Sequence, residues 1–419
     1  MKQLDHATNA EATVPADRPD LRLGSLLALF FGSGAAALIY EVLWLKELGR
    51  LFGVTAYAAS TTLAVFFLGL ALGGLVWGRR AERLRNPLRA YAWLEIGVGA
   101  SALLYFLLFD LYRAVQAPLF GSIGYQPALL LLVKFALATG VLLLPAFLMG
   151  GTLPVMAQVL VRERSQLGVR TTLLYAVNTI GAATGALAAG FLLPRLFGFA
   201  GSYLVAIALN LVVAAIAWSW SRGLSRPAAW APAPREEPKD ATEAGGTGER
   251  GSELSARLIL TIAAVSGLAT LGLEVIWTRM FSQVLQNSVY TFSIILTVFL
   301  AGLSIGSALA HVLCRRVRST RLALALLLAG SGILVSLSPF MFQAFSEGLD
   351  YMKSGLGFWP YVGAVFAGTA LGIGPAVVMM GAVFPFLLKL SEAHSRGAGR
   401  TVGHLAAVNT TAAIFGSLL

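Results

Sequence analysis

Two glutamates carry the sharpest chemical signal in this sequence. Glu41 and Glu274 each stand inside a long apolar stretch, at the same place in the same pattern, E-V-x-W-x-[K/R]. A carboxylate in a transmembrane segment costs about 3 kcal/mol on insertion scales, so its presence asks for a functional reason. With an approximate two-fold axis between the two copies, the carboxylates face each other across the central interface. That arrangement suits a cation with more than one amine, and equally a proton-coupled carboxylate pair. In the alternative reading each Glu lies near the outer interface and pairs with Lys46 or Arg279, while Trp44 and Trp277 act as aromatic-belt anchors.

Other polar side chains recur in pairs. Tyr57 matches Tyr290, and Asn178 matches Asn409. All four are candidate substrate-binding residues beside the glutamates, although interhelical hydrogen bonding also accounts for the asparagines. Glu95 and Lys134 are intramembrane but lack a counterpart, which fits a structural pair or a snorkelling side chain. His404 reads as a structural histidine near a helix end. The single cysteine, Cys314, excludes internal disulfides and reads as a bystander thiol. The sequence holds no strand-flanked Gly-rich loop, no HExxH, no CxxC and no Ser/His/Asp set, so no catalytic residue, metal or cofactor is expected.

The elements that position these residues follow from composition. Of 419 residues, 57% are hydrophobic and only 12% charged, too little charge to cover a soluble surface. Apolar stretches of roughly 20 residues recur, each long enough to cross a hydrocarbon core of about 30 Å. Expected spans in the first half are 23–45, 56–78, 90–111, 128–161, 171–194 and 201–220. The second half has 258–278, 289–313, 322–345, 358–390 and a last one opening at Thr401. The fourth and tenth are too long for one straight crossing, and prolines (Pro145 and Pro154; Pro375 and Pro385) are expected to kink them. Residues 1–22 read as a disordered cytoplasmic tail and 221–255 as a flexible cytoplasmic linker between membrane repeats 23–220 and 256–419.

The net charge of +11 does not point to nucleic acid, because the cations cluster in short loops. The loops after spans two, four, eight and ten are basic, for example Arg79, Arg80, Arg83, Arg85 and Arg89 after the second. Intervening loops hold only scattered cations. By the positive-inside rule every second loop and the N-terminus are cytoplasmic, in a bacterial inner membrane.

The two halves are repeats. Ser33 to Gly73 aligns without gaps on Ser266 to Gly306, with about fifteen identities in roughly forty positions. Each half starts inside with an even number of spans, so the repeats are parallel, related by an axis along the membrane normal. The second half ends at Leu419, within the counterpart of span 171–194, and the expectation is a sequence truncated before a twelfth span. A shorter natural protein is the alternative.

The segments GSGAAALIYEVLW (32–44), AYAASTTLAVFFLGLALGGLVWGR (56–79), PAFLMGGTLP (145–154) and YAVNTIGAATGAL (175–187) resemble the membrane portion of the fused major-facilitator/spermidine-synthase family. The basic turn GRRAERLR (78–85) is similar to the loop between the second and third helices of major-facilitator proteins. The resemblance implies an all-α, major-facilitator-like polytopic fold and a link to polyamine chemistry. It also implies a cytoplasmic aminopropyltransferase-like partner domain beyond this sequence. Two functions follow as expectations. One is a transporter-like unit in the lipid bilayer moving a small cationic solute such as a polyamine. The other is a non-transporting anchor or scaffold for that enzyme.

Overall fold

The computed structural model describes residues 23–52, 56–123, 126–161, 164–222, 254–285, 289–316, 319–346, 357–395 and 397–418. The expected tail and most of the expected linker lie outside them. Every regular element described is helical, as long uninterrupted apolar runs require when no water is present to satisfy a backbone. The first half comprises α1 (Leu23–Phe52), α2 (Ala56–Ala81), α3 (Pro87–Ala102), α4 (Leu104–Ile123), α5 (Pro127–Leu160), α6 (Leu167–Leu187) and α7 (Leu193–Ser221). The second comprises α8 (Ala256–Ser282), α9 (Val289–Arg316), α10 (Thr320–Phe345), α11 (Phe358–Leu390) and α12 (Ala398–Ser417).

Local signals set the helix starts. Asn86 caps α3 by accepting from the Arg89 N–H, with Pro87 at the first helical position, and Ser255 caps α8 by accepting from Leu258. The third expected span is α3 with the start of α4, interrupted at Leu103. The fifth and sixth form one 55-residue apolar run, Leu167–Ser221. A π-helical turn at Ala188–Leu192 joins α6 to α7, and the chain breaks at Gly198, whose φ of 66° lies in the left-handed region open to glycine. The long helices α5 and α11 run through both of their prolines, 34 and 33 residues respectively, where the sequence predicted interruptions. Nine described runs are apolar and long enough to cross a membrane, the 55-residue run holding two crossings; α12, the eleventh expected span, is helical but not among the nine.

The packing repeats as the sequence does. In the first half α1 lies on α6, α2 on α5 and α3 on α5; in the second α8 lies on α12, α9 on α11 and α10 on α11. Across the halves α6 packs on α9 and α12 on α2, again equivalent pairs. The closest approaches use glycine at matched positions. Gly34 on α1 meets the Asn178 backbone on α6, and Gly267 on α8 meets the Asn409 backbone on α12. Gly185 against Ala35 and Gly416 against Leu268 form a second matched set. A Cβ at any of these four positions would collide with main chain, so small residues are what allow the helix axes to approach.

Apolar packing divides into three cores. One joins both halves at the end where α1, α3, α6, α8 and α12 begin, with Phe30, Leu88, Leu160, Leu167, Leu387 and Val402 among its members. At the other end the cores are largely separate. One belongs mainly to the first half around Tyr40, Trp44 and Tyr203, the other mainly to the second around Trp277, Phe281 and Phe299. The molecule thus has a closed end with one shared core and a divided end with two, where the halves still touch as Phe191 of the first packs on Tyr290 of the second.

Replacing Gly34 by Val should lower the thermal unfolding temperature of the detergent-solubilised protein sharply, corresponding to a loss of about 3 kcal/mol or more, because backbone cannot yield as a side-chain end can. Gly332→Ala, where the added methyl meets nothing within 4 Å, should leave it unchanged or slightly raised.

Candidate substrate site

Glu41 lies eighteen residues past the start of α1 and Glu274 eighteen past the start of α8, so the repeat places both at the same depth. At 1.5 Å per residue that is about 27 Å from the closed end. Both are half-buried. α1 and α8 do not pack along each other, yet the carboxylates are near enough for their charges to interact. Among the described residues neither has a hydrogen-bond or ion-pair partner, so the alternative pairing with Lys46 or Arg279 is not seen.

The tryptophans of the same motif do not act as interface anchors. Trp44 and Trp277 are only 1% and 2% exposed. The Trp44 indole donates to the Tyr203 hydroxyl at 2.8 Å and stacks on Tyr40, while the Trp277 indole donates to Ser338 at 2.9 Å. Buried indole N–H groups need such acceptors, and each half supplies one from a different helix. These contacts fix the rotation of α1 and α8, and with it the direction in which Glu41 and Glu274 project.

The remaining expected site residues are placed variously. Asn409 uses its side-chain amide to donate to the Ala263 carbonyl on α8 at 2.8 Å, which ties α12 to α8. Asn178 packs against Gly34 at the equivalent contact. Tyr290, in the first turn of α9, sits between Phe191 and Phe358, ring centroids 5.2 and 5.4 Å away. Tyr57 falls in the first turn of α2, and its side chain lies outside the described residues.

One polar cluster is more extensive than the sequence indicated. Glu95 on α3 is fully buried and accepts hydrogen bonds from Ser33 on α1 and from the Asn210 amide on α7. Asn210 in turn accepts from Tyr40 at 2.9 Å. Tyr203, the acceptor for Trp44, donates onward to the Ala102 carbonyl at 3.1 Å. These bonds lock α1, α3 and α7 together. Glu95 and Asn210 both stand out as polar residues within apolar spans, but their pairing across 115 positions carries no local signal.

At the closed end, polar bonds cross between the halves in equivalent places. The Gly168 N–H at the start of α6 donates to Glu392 at 2.8 Å, and Glu392 is paired with Lys389. The matching Gly399 N–H at the start of α12 donates to Gln158 at 3.1 Å. Free N–H groups at a helix start attract such acceptors, and a carboxylate gains from the helix dipole as well. Among the described residues no three His, Cys, Asp or Glu gather as a metal site.

A helical membrane bundle with two symmetry-related halves, closed at one end around paired polar residues, defines a transporter-like architecture. The chain belongs to the Major Facilitator Superfamily, whose family model matches residues 23–417. Two solved structures are similar over nearly the whole chain. The human organic anion transporter MFSD10 (TETRAN) matches with 14% identity and a TM-score of 0.44, covering 96% of each chain. The POT family transporter PepTSo matches with 14% identity and a TM-score of 0.39, covering 94% of this chain and 97% of that one. Among curated proteins, none matches.

Asn210→Leu strands the Glu95 carboxylate and the Tyr40 hydroxyl without their shared partner. The expected outcome is a loss of about 3 kcal/mol or more in thermal unfolding, with the double variant Glu95→Leu/Asn210→Leu less destabilised than the sum of the two single changes.

Proposed function

We propose that this protein carries a small cationic solute, with polyamines as the substrate class, across the membrane by alternating exposure of a site at Glu41 and Glu274. The observation that carries the reading is that, among the described residues, neither carboxylate has a hydrogen-bond or ion-pair partner. Two acidic groups at one depth, within range of each other and without a cation partner among the described residues, are costly as anions in a low dielectric unless a ligand or protons neutralise them. A ligand with two ammonium groups answers both at once. The resemblance of the membrane segments to proteins fused to a spermidine synthase points to the same chemistry. Asn178, Asn409, Tyr57 and Tyr290 are the supporting polar residues in this scheme, with Asn409 acting through the α8–α12 contact.

The conformation fits one stage of such a cycle. The shared core and the Gly168–Glu392 and Gly399–Gln158 bonds close one end, while the carboxylates lie toward the divided end. Opening the closed end requires breaking those bonds and parting that core, which is a rocking of one half against the other. From the loop charges we place the closed end, and the N-terminus, on the cytoplasmic side of a bacterial inner membrane.

Proteoliposomes should take up labelled putrescine and spermidine saturably, and Glu41→Gln or Glu274→Gln should each reduce uptake by about tenfold or more, as expected for loss of one charge-assisted contact. Equal flux in wild type and both variants would sink the carboxylate assignment, and no polyamine flux by the wild type would sink the substrate class. The orientation has its own check: a reporter active only in the cytoplasm, inserted in the 221–255 segment, should be active, and an inactive reporter would reverse the assignment.

A further inference from the structure

A cavity of about 250 Å³ lies away from the central carboxylates, at the closed end. Its walls are the first turns of α8, the 3₁₀ turn Ser391–His394 that follows α11, and the first turns of α12. The floor is apolar, formed by Ile259, Leu260 and Leu405, and the rim carries the exposed Arg400, His394 and His404. Among the described residues no carboxylate lines it. The adjacent Glu392 is already engaged by Lys389 and the Gly168 N–H. The helix starts of α8 and α12 are already met by Ser255, by Gln158 and by Glu82, which lies against Gly397, so the positive potential of the cavity comes from its side chains.

The geometry points to a binding site for the phosphate headgroup of an anionic phospholipid, taken from the leaflet at the closed end. A guanidinium and two imidazoles offer several N–H donors to phosphate oxygens, and an imidazole has an N–H to donate in either charge state. The volume admits a phosphoglycerol group but falls below the roughly 300 Å³ at which drug-sized pockets begin. The apolar floor favours an amphiphile over a free ion. Basic pockets between helices at a membrane surface are suited to this class of ligand. The site is independent of the polyamine reading and lies within the second half. Its occupant would bridge α8 to the α11–α12 connection, the segment that also carries the closing Gly399 and Glu392 bonds.

Native mass spectrometry of the detergent-released full chain tests this, with phosphatidylglycerol, phosphatidylcholine and inorganic phosphate as probes. Phosphatidylglycerol should be retained in preference to phosphatidylcholine, and Arg400→Gln should reduce its retention by about tenfold. Arg400→Lys should keep most of it, and Arg315→Gln, an exposed cation on α9, should have no effect. A photoactivatable phosphatidylglycerol should label the 390–405 region of the unaltered protein, a readout that needs no variant to fold. Equal retention of the two lipids, retention unaffected by Arg400→Gln, or labelling elsewhere would each overturn the proposal. Displacement of the lipid by inorganic phosphate at equal concentration would overturn it in favour of a soluble phosphate ligand.

Discussion

Apolar side chains from both halves interlock at one end of this bundle, and that shared core sets the geometry of everything beyond it. Leu160 and Leu167 from the first half join Leu387 and Val402 from the second in one body of buried residues. In hydrocarbon, helices gain nothing by merely hiding apolar surface from lipid, so close van der Waals fit must hold them. The matched glycine contacts supply that fit along α1–α6 and α8–α12. With one end joined and the other divided into two cores, the two carboxylates are held at equal depth on helices that do not pack along each other.

The polar residues form a second layer of control. Trp44 and Trp277 would be costly in a core without acceptors, and each finds one on a neighbouring helix of its own half. Since Glu41 and Glu274 lie three residues before these tryptophans, fixing the indoles fixes the carboxylates. The bonds at the closed end differ in kind. They run between halves, from backbone N–H groups to side chains, and their acceptors differ: a carboxylate at Gly168 and an amide at Gly399. The two-fold relation is therefore kept in the donors and relaxed in the acceptors.

Much of this was legible in the sequence, for reasons that can be named. Span number and order followed from apolar run length, and the repeat was visible because Ser33 to Gly73 and Ser266 to Gly306 align without gaps. Duplication also singled out Glu41 and Glu274 among the acidic residues. What stayed hidden depends on contacts between distant segments. Nothing local marks Trp44 as buried, since a tryptophan near a helix end suits an interface equally well. Ser33, Glu95 and Asn210 are brought together by three helices, and their bonding is a product of helix rotation. The prolines of α5 and α11 suggested interruptions, but both helices continue through them.

The Glu95 cluster carries a mechanical consequence for the first half. Directional bonds among Ser33, Glu95, Asn210 and Tyr40 brace three helices of the first half against sliding. The bonds tie α1, α3 and α7 into one body, so Glu41 on α1 keeps its place relative to all three helices when the bundle changes state.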